Sequence, residues 1–128
     1  MKKLVSLLVF GALLATISLM TIKASAVEPE KEQVIVFDNP QCQGEPYMTM
    51  KKADYPDMHA YPTAGKDSPT WDNAISCMKI GEGVKVRIYE KINFKGKNKI
   101  FSKSAENSGI VSLANTPWDN MISSLKIY

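Results

Sequence analysis

Histidine occurs once in this chain, at His59, and cysteine twice, at Cys42 and Cys77. That supply cannot build the four-ligand His and Cys clusters of structural zinc sites. His59 has no nucleophile or acid beside it in a recognisable catalytic motif, and its Tyr/Pro-rich surroundings read as a solvent-facing loop. There is no nucleophile elbow and no glycine-rich phosphate loop, and no pair of acids is singled out for proton transfer. An enzyme is therefore not expected. No stretch sustains a helical period, which excludes a helical bundle. After Ile22 no apolar run reaches the length of a membrane span.

The one long apolar run is at the start. Met1, Lys2 and Lys3 give a charged head, residues 4–22 are almost all apolar, and Ala24-Ser25-Ala26 is a small-x-small cleavage signal. Residues 1–26 thus read as a secretory signal peptide, the competing reading being an uncleaved anchor. The expected location is extracellular or periplasmic, with no membrane contact after cleavage. Cleavage removes Lys2, Lys3 and Lys23 from the 16 Lys and Arg and leaves 13, equal to the 13 Asp and Glu. The basic pI of the full chain then carries no argument for nucleic acid. Lys91, Lys95, Lys97 and Lys99 surround Phe94 and read as the solvated face of a hairpin. Export also permits a disulfide between the two cysteines.

What is present is a repeat. Trp71-Asp72-Asn73-Ala74-Ile75-Ser76 returns as Trp118-Asp119-Asn120-Met121-Ile122-Ser123, and the two copies hold the only tryptophans. A near-identical element used twice marks one supersecondary unit used twice. The tryptophans read as core packing. The hairpin segments repeat as well: Phe37, Cys42 and Gly44 correspond to Tyr89, Phe94 and Gly96. The offset is 52 residues at the hairpins and 47 at the turns, so the first half carries five extra residues within 51–70. Residues 34–37, 75–80, 84–89 and 122–128 read as strands, the third with clear apolar alternation. Residues 27–33 are polar and acidic and are expected to be a flexible tail. The fold class expected is all-β: two Greek keys, about 34–80 and 84–128, packed as one sandwich of about eight short strands.

With these four motifs in the order hairpin, turn, hairpin, turn, the chain resembles the βγ-crystallin family, in particular its microbial secreted calcium-binding domains. The family's keys carry Tyr/Phe-x-x-x-x-Phe/Tyr-x-Gly and Asn/Asp-Asn/Asp-x-x-Ser/Thr-Ser. The second half matches fully, while the first departs at Cys42 and Cys77. In the family the last serine of the turn packs near the second aromatic of the hairpin. The resemblance therefore implies a Cys42–Cys77 disulfide in place of that contact, the alternative being two separate buried thiols. Closing so long a loop would raise the free energy of the unfolded chain by about 4 kcal/mol.

The resemblance also implies two shared Ca2+ sites. In one, Ala74 and Asp38 give carbonyls and Ser123 a hydroxyl. In the other, Met121 and Glu90 give carbonyls and Ser76 a hydroxyl. Asn73 and Asn120 add side-chain oxygens, and Asp72 and Asp119 supply charge and orient the loops. Such oxygen sets suit calcium, with affinity expected between about 1 µM and 1 mM. Asp and Asn also serve turns without any metal, so doubling of the motif carries the metal reading. The expected function is a secreted, monomeric, non-catalytic calcium-binding module with a structural or stress role. A protease inhibitor or toxin-like binder on the same fold is the alternative, with Tyr55-Pro56-Asp57-Met58-His59-Ala60-Tyr61-Pro62 as its expected contact segment. The bland reading of that segment is a strand and its connector.

Overall fold

A computed structural model describes residues 27–63 and 68–128; the expected signal peptide, residues 1–26, lies outside the described residues. Eight strands follow one another: β1 Gln33–Phe37, β2 Tyr47–Lys51, β3 Ala53–Tyr55, β4 Cys77–Ile80, β5 Lys85–Lys91, β6 Lys95–Ser102, β7 Ile110–Ser112 and β8 Ser124–Ile127. They form two four-stranded antiparallel sheets, ordered β2-β1-β4-β7 and β3-β8-β5-β6. The first key supplies β1 to β4 and the second β5 to β8. Each key places its third strand in the other's sheet. β3 pairs with β8 through Tyr55 and Leu125, and β7 pairs with β4 through Val111 and Met78. Separating the keys would break two ladders, so they form one interlocked sandwich.

Alternation along the strands fills the space between the sheets. Val34, Val36, Met78 and Ile80 from the first sheet meet Val86, Ile88, Leu125 and Ile127 from the second. Met58, Trp71, Ile75, Leu113 and Ile122 close this core, and Trp118 packs on it while partly exposed. β1 does not alternate: Ile35 and Phe37, which face away from the core, are as buried as Val34 and Val36. They form a second cluster with Cys42 and Cys77, and Val27 lies against it. A strand covered on both faces reads as an unbroken apolar run, which explains Val34-Ile35-Val36-Phe37.

Residues 27–33, expected to be a flexible tail, make defined contacts with the sandwich. Gln33 begins β1, the Glu32 N–H donates to the Glu82 carbonyl at 2.8 Å, and the buried Lys79 ammonium bonds Val27 and Glu28. The strands expected from residues 75 and 122 begin two residues later, because the Ile75 and Ile122 carbonyls accept from the Asn120 and Asn73 N–H groups of the opposite turns. The lysine-rich β6 is an exposed edge strand, with Lys95, Lys97 and Lys99 all exposed. Edge lysines of this kind discourage pairing with another chain.

Candidate metal centre

The two Trp-Asp-Asn turns lie against each other where the keys cross. Asn73 and Asn120 both adopt φ 55°, the left-handed region that asparagine tolerates better than most residues. That conformation turns each backbone toward the other key. The Asn73 N–H donates to the Ile122 carbonyl at 3.0 Å and the Asn120 N–H to the Ile75 carbonyl at 3.2 Å. The side chains cross in the same sense. Ser76 Oγ donates to Asn120 Oδ1 at 3.1 Å, and Ser123 Oγ donates to Asn73 Oδ1 at 3.4 Å. Each serine hydroxyl is thus hydrogen-bonded to the asparagine of the other key's turn.

The aspartates before these asparagines are incompletely satisfied. Asp72 Oδ1 and Asp119 Oδ1 are buried and accept no hydrogen bond from the described residues. A buried acceptor without a partner is unusual, and here it recurs at one repeat position in both keys. The remaining sequence candidates are placed as follows. Ala74 is buried beside Asn73, while Met121 is exposed beside Asn120. Asp38 follows Phe37, whose carbonyl accepts the Ser76 N–H at 2.9 Å. Glu90 follows Tyr89, whose carbonyl accepts the Ser123 N–H at 3.0 Å. Each hairpin residue therefore adjoins the serine of its own key. The Glu90 carboxylate is already engaged: it accepts the Lys97 N–H at 3.2 Å. Its stem lies under Gly96, where a Cβ would sit 2.5 Å from Glu90 Cγ.

Among the described residues, no three His, Cys, Asp or Glu side chains converge to hold an ion. The side-chain oxygens of the two turns are instead two Asp carboxylates, two Asn carboxamide oxygens and two Ser hydroxyls, with the Asn and Ser in cross-key pairs. That set is hard and all-oxygen, the type calcium takes in numbers of six to eight with water completing the shell. The orphaned aspartate oxygens are the groups such a cation would satisfy, so the residues fit it.

Sequence reasoning missed His59 as a neighbour of this centre. It sits on a 3-10 turn, Met58–Ala60, capped by Asp57. Its ring is exposed, as expected of a loop, but Nδ1 lies 2.8 Å from Asp57 Oδ1 and Nε2 3.1 Å from Asp72 Oδ2. The Asp57 carboxylate, with Asp72 behind it, holds the imidazole pKa above the ordinary histidine value. The His59 backbone N–H, together with the imidazole, holds the Asp57 pKa below its ordinary value. The turn is anchored by the fully buried Met58, whose N–H donates to the Ser123 carbonyl at 2.9 Å. The only sequence signal was the Asp-x-His spacing, which is too common to stand out. Tyr55 and Tyr61 pack edge to face at 5.7 Å, and the Tyr55 hydroxyl donates to the Lys51 carbonyl at 2.7 Å. Within the segment from Tyr55 to Pro62, Met58 is thus buried and the two tyrosines are partly covered, while Pro56, His59, Ala60 and Pro62 are exposed.

The hairpins reveal what the two departures from the repeat mean. In the second key Ser124 Oγ donates to the Lys91 carbonyl at 2.6 Å and accepts the Phe94 N–H at 3.0 Å. In the first key the corresponding residues are joined covalently: Cys42 and Cys77 form a disulfide with Cα atoms 5.3 Å apart, within the usual range.

No protein-family model matches the chain, and no curated protein does. Solved structures do. A domain described under "Evolution of the eye lens beta-gamma-crystallin domain fold" aligns with TM-score 0.62 and 18% identity, over 80% of this chain and 90% of that one. The N-terminal domain of Protein S aligns with TM-score 0.57 and 21% identity, over 75% and 94%. A βγ-crystallin domain from Flavobacterium johnsoniae aligns with TM-score 0.55 and 21% identity, over 74% and 92%. At these identities the likeness is one of fold, and the fold of this chain is that of a βγ-crystallin domain.

Proposed function

We propose that this is an exported, non-catalytic calcium-binding module whose two crossed turns each contribute to two Ca2+ sites and so tie the keys together. The observation that carries the reading is the paired orphan: Asp72 Oδ1 and Asp119 Oδ1, each buried without a partner, each beside an asparagine joined to the other key's serine. A divalent cation would satisfy these oxygens and screen the two carboxylates. Asn73 with Ser123 and Asn120 with Ser76 are the side chains placed to hold it, with the carbonyls of Ala74, Met121, Asp38 and Glu90 as the backbone candidates. Binding adds stability because the unfolded chain does not bring the turns together. At a hundred times the dissociation constant the gain is about 2.7 kcal/mol per site.

The role is structural, in an extracellular or periplasmic setting where calcium is available at millimolar level. The binder alternative draws on the Tyr55 to Pro62 segment, where Pro56, His59, Ala60 and Pro62 are exposed but Met58 is buried in the core and Tyr55 packs on Tyr61. The test is thermal unfolding in chelator and in rising calcium. The midpoint is expected to climb by several degrees as calcium rises into the millimolar range, and to go on rising with the logarithm of its concentration. An unchanged midpoint at 10 mM calcium would remove the reading.

A further inference from the structure

The disulfide sits in a small apolar cluster on the outer face of the first sheet, with Ile35 and Phe37, and both cysteines are buried. Beside it in β4, two residues after Cys77, stands Lys79, paired in register with Ile35 and with a side chain only 9% exposed. A buried ammonium needs acceptors and an opposite charge, or its desolvation goes uncompensated. Lys79 obtains both from the start of the described chain. Its Nζ donates to the Val27 carbonyl at 2.7 Å and to the Glu28 carboxylate at 2.6 Å. The Val27 side chain packs on the disulfide cluster, and Val27, Gln41, Cys42 and Lys79 line a cleft next to it. The following residues hold the segment in place, since the Gln33 N–H donates to the Glu30 carbonyl and the Gly81 N–H to the Gln33 carbonyl. Gly81 is required there, because a Cβ would press on the Glu30 and Gln33 carbonyls.

We propose that Val27 and Glu28 form a latch over the Cys42–Cys77 disulfide, with Lys79 as its catch, and that the latch sets the access of external thiols. Reduction by a dithiol such as dithiothreitol begins when its thiolate attacks one cystine sulfur. The S–S bond breaks, a mixed disulfide forms, and the other cysteine leaves as a thiolate that takes a proton from water. The reagent's second thiolate then releases the first cysteine, and the reagent is oxidised to its cyclic disulfide. The first step needs an approach to sulfur, and with the latch closed Val27 and Lys79 stand in that approach. Local opening of residues 27 and 28 exposes little new surface, so it differs from global unfolding in its response to urea. The proposal is independent of the metal reading.

The experiment is the rate of dithiothreitol reduction of the purified protein, followed by alkylation and mass measurement, across low urea concentrations. Glu28→Ala removes the counter-charge of the catch. Val27→Gly keeps the carbonyl but removes the cover, and serves if the first variant does not fold. The expected result is reduction at least tenfold faster than in the unsubstituted protein, at a rate almost flat in urea. An unchanged rate, or a faster rate that rises as steeply with urea as global unfolding does, overturns the latch.

Discussion

The two keys meet the same requirement with different chemistry. At the end of each turn a residue must be tied to the folded hairpin of its own key. The second key uses the Ser124 hydroxyl, bonded to Lys91 and Phe94, and packs Tyr89 edge to face against Phe94 at 5.5 Å. The first uses a covalent bond and shapes its hairpin by the Asn39 carboxamide oxygen, which accepts the Gln41 and Gln43 N–H groups. The backbone agrees at the tied position and the glycine, where φ is 55° at Cys42 and 59° at Phe94, and 67° at Gly44 and 81° at Gly96, although Asn93 of the second hairpin is left-handed as well and Gln41 of the first is not. The tie is therefore a geometric demand that several chemistries can meet. Where the keys face each other no such freedom appears. Asn73 and Asn120 share one conformation, and both Asn–Ser pairs are kept.

The largest test of this comparison removes the ties one at a time. Replacing both cysteines by alanine is expected to cost about 2–5 kcal/mol in urea unfolding. Ser124→Ala, which strands the Lys91 carbonyl and the Phe94 N–H, is expected to cost about 1–3 kcal/mol. Equal losses would show that the covalent tie adds nothing beyond the hydrogen-bonded one. A smaller effect is expected from the hairpin glycines. Gly44→Ala and Gly96→Ala both place a side chain at positive φ, but only at Gly96 would the Cβ strike Glu90, with open space around Gly44. Gly96→Ala is expected to be the more destabilising by about 1 kcal/mol, again by urea unfolding.

The smallest effect concerns the asymmetry at the centre, where Asp72 is paired with His59 and Asp119 has no ion pair among the described residues. His59 has a raised pKa, so its contribution is fully present below the unfolded histidine pKa and is lost as pH rises through the folded one. Asp57, whose pKa is lowered, contributes above the unfolded carboxylate pKa and loses that contribution as pH falls through its folded value. The ring is exposed and the pair is solvent-screened, so the readout is an NMR titration of His59. Asp57→Asn is expected to move its midpoint down; an unmoved midpoint would show that the Asp57 bond is not made in solution.

Much of this architecture was legible because it is written locally and twice. The doubled Trp-Asp-Asn turn, the aromatic-to-glycine spacing of the hairpins and the alternation of Val86 and Ile88 all lie within a few residues. The disulfide was implied by the βγ-crystallin resemblance rather than by spacing: Cys42 and Cys77 stand at the Phe94 and Ser124 positions, where that family packs the turn's last serine against the hairpin. The exchange of β3 and β7 was not legible. Which sheet a three-residue strand joins depends on the packing of the whole sandwich. The Lys79 pair with Glu28 spans 51 residues and the contact of His59 with Asp72 joins two loops; no period or motif announces either. β6, with its sequence Lys-Gly-Lys-Asn-Lys-Ile-Phe-Ser, is a poor strand former by propensity and is held by its ladder to β5.

The central claim is that the crossed turns hold calcium, and calorimetric titration of the metal-free protein tests it most directly. Two binding events are expected in the unsubstituted protein, with Ser76→Ala and Ser123→Ala each weakening mainly one of them. Absence of binding heat up to millimolar calcium, or equal loss of both events in each serine variant, would contradict it.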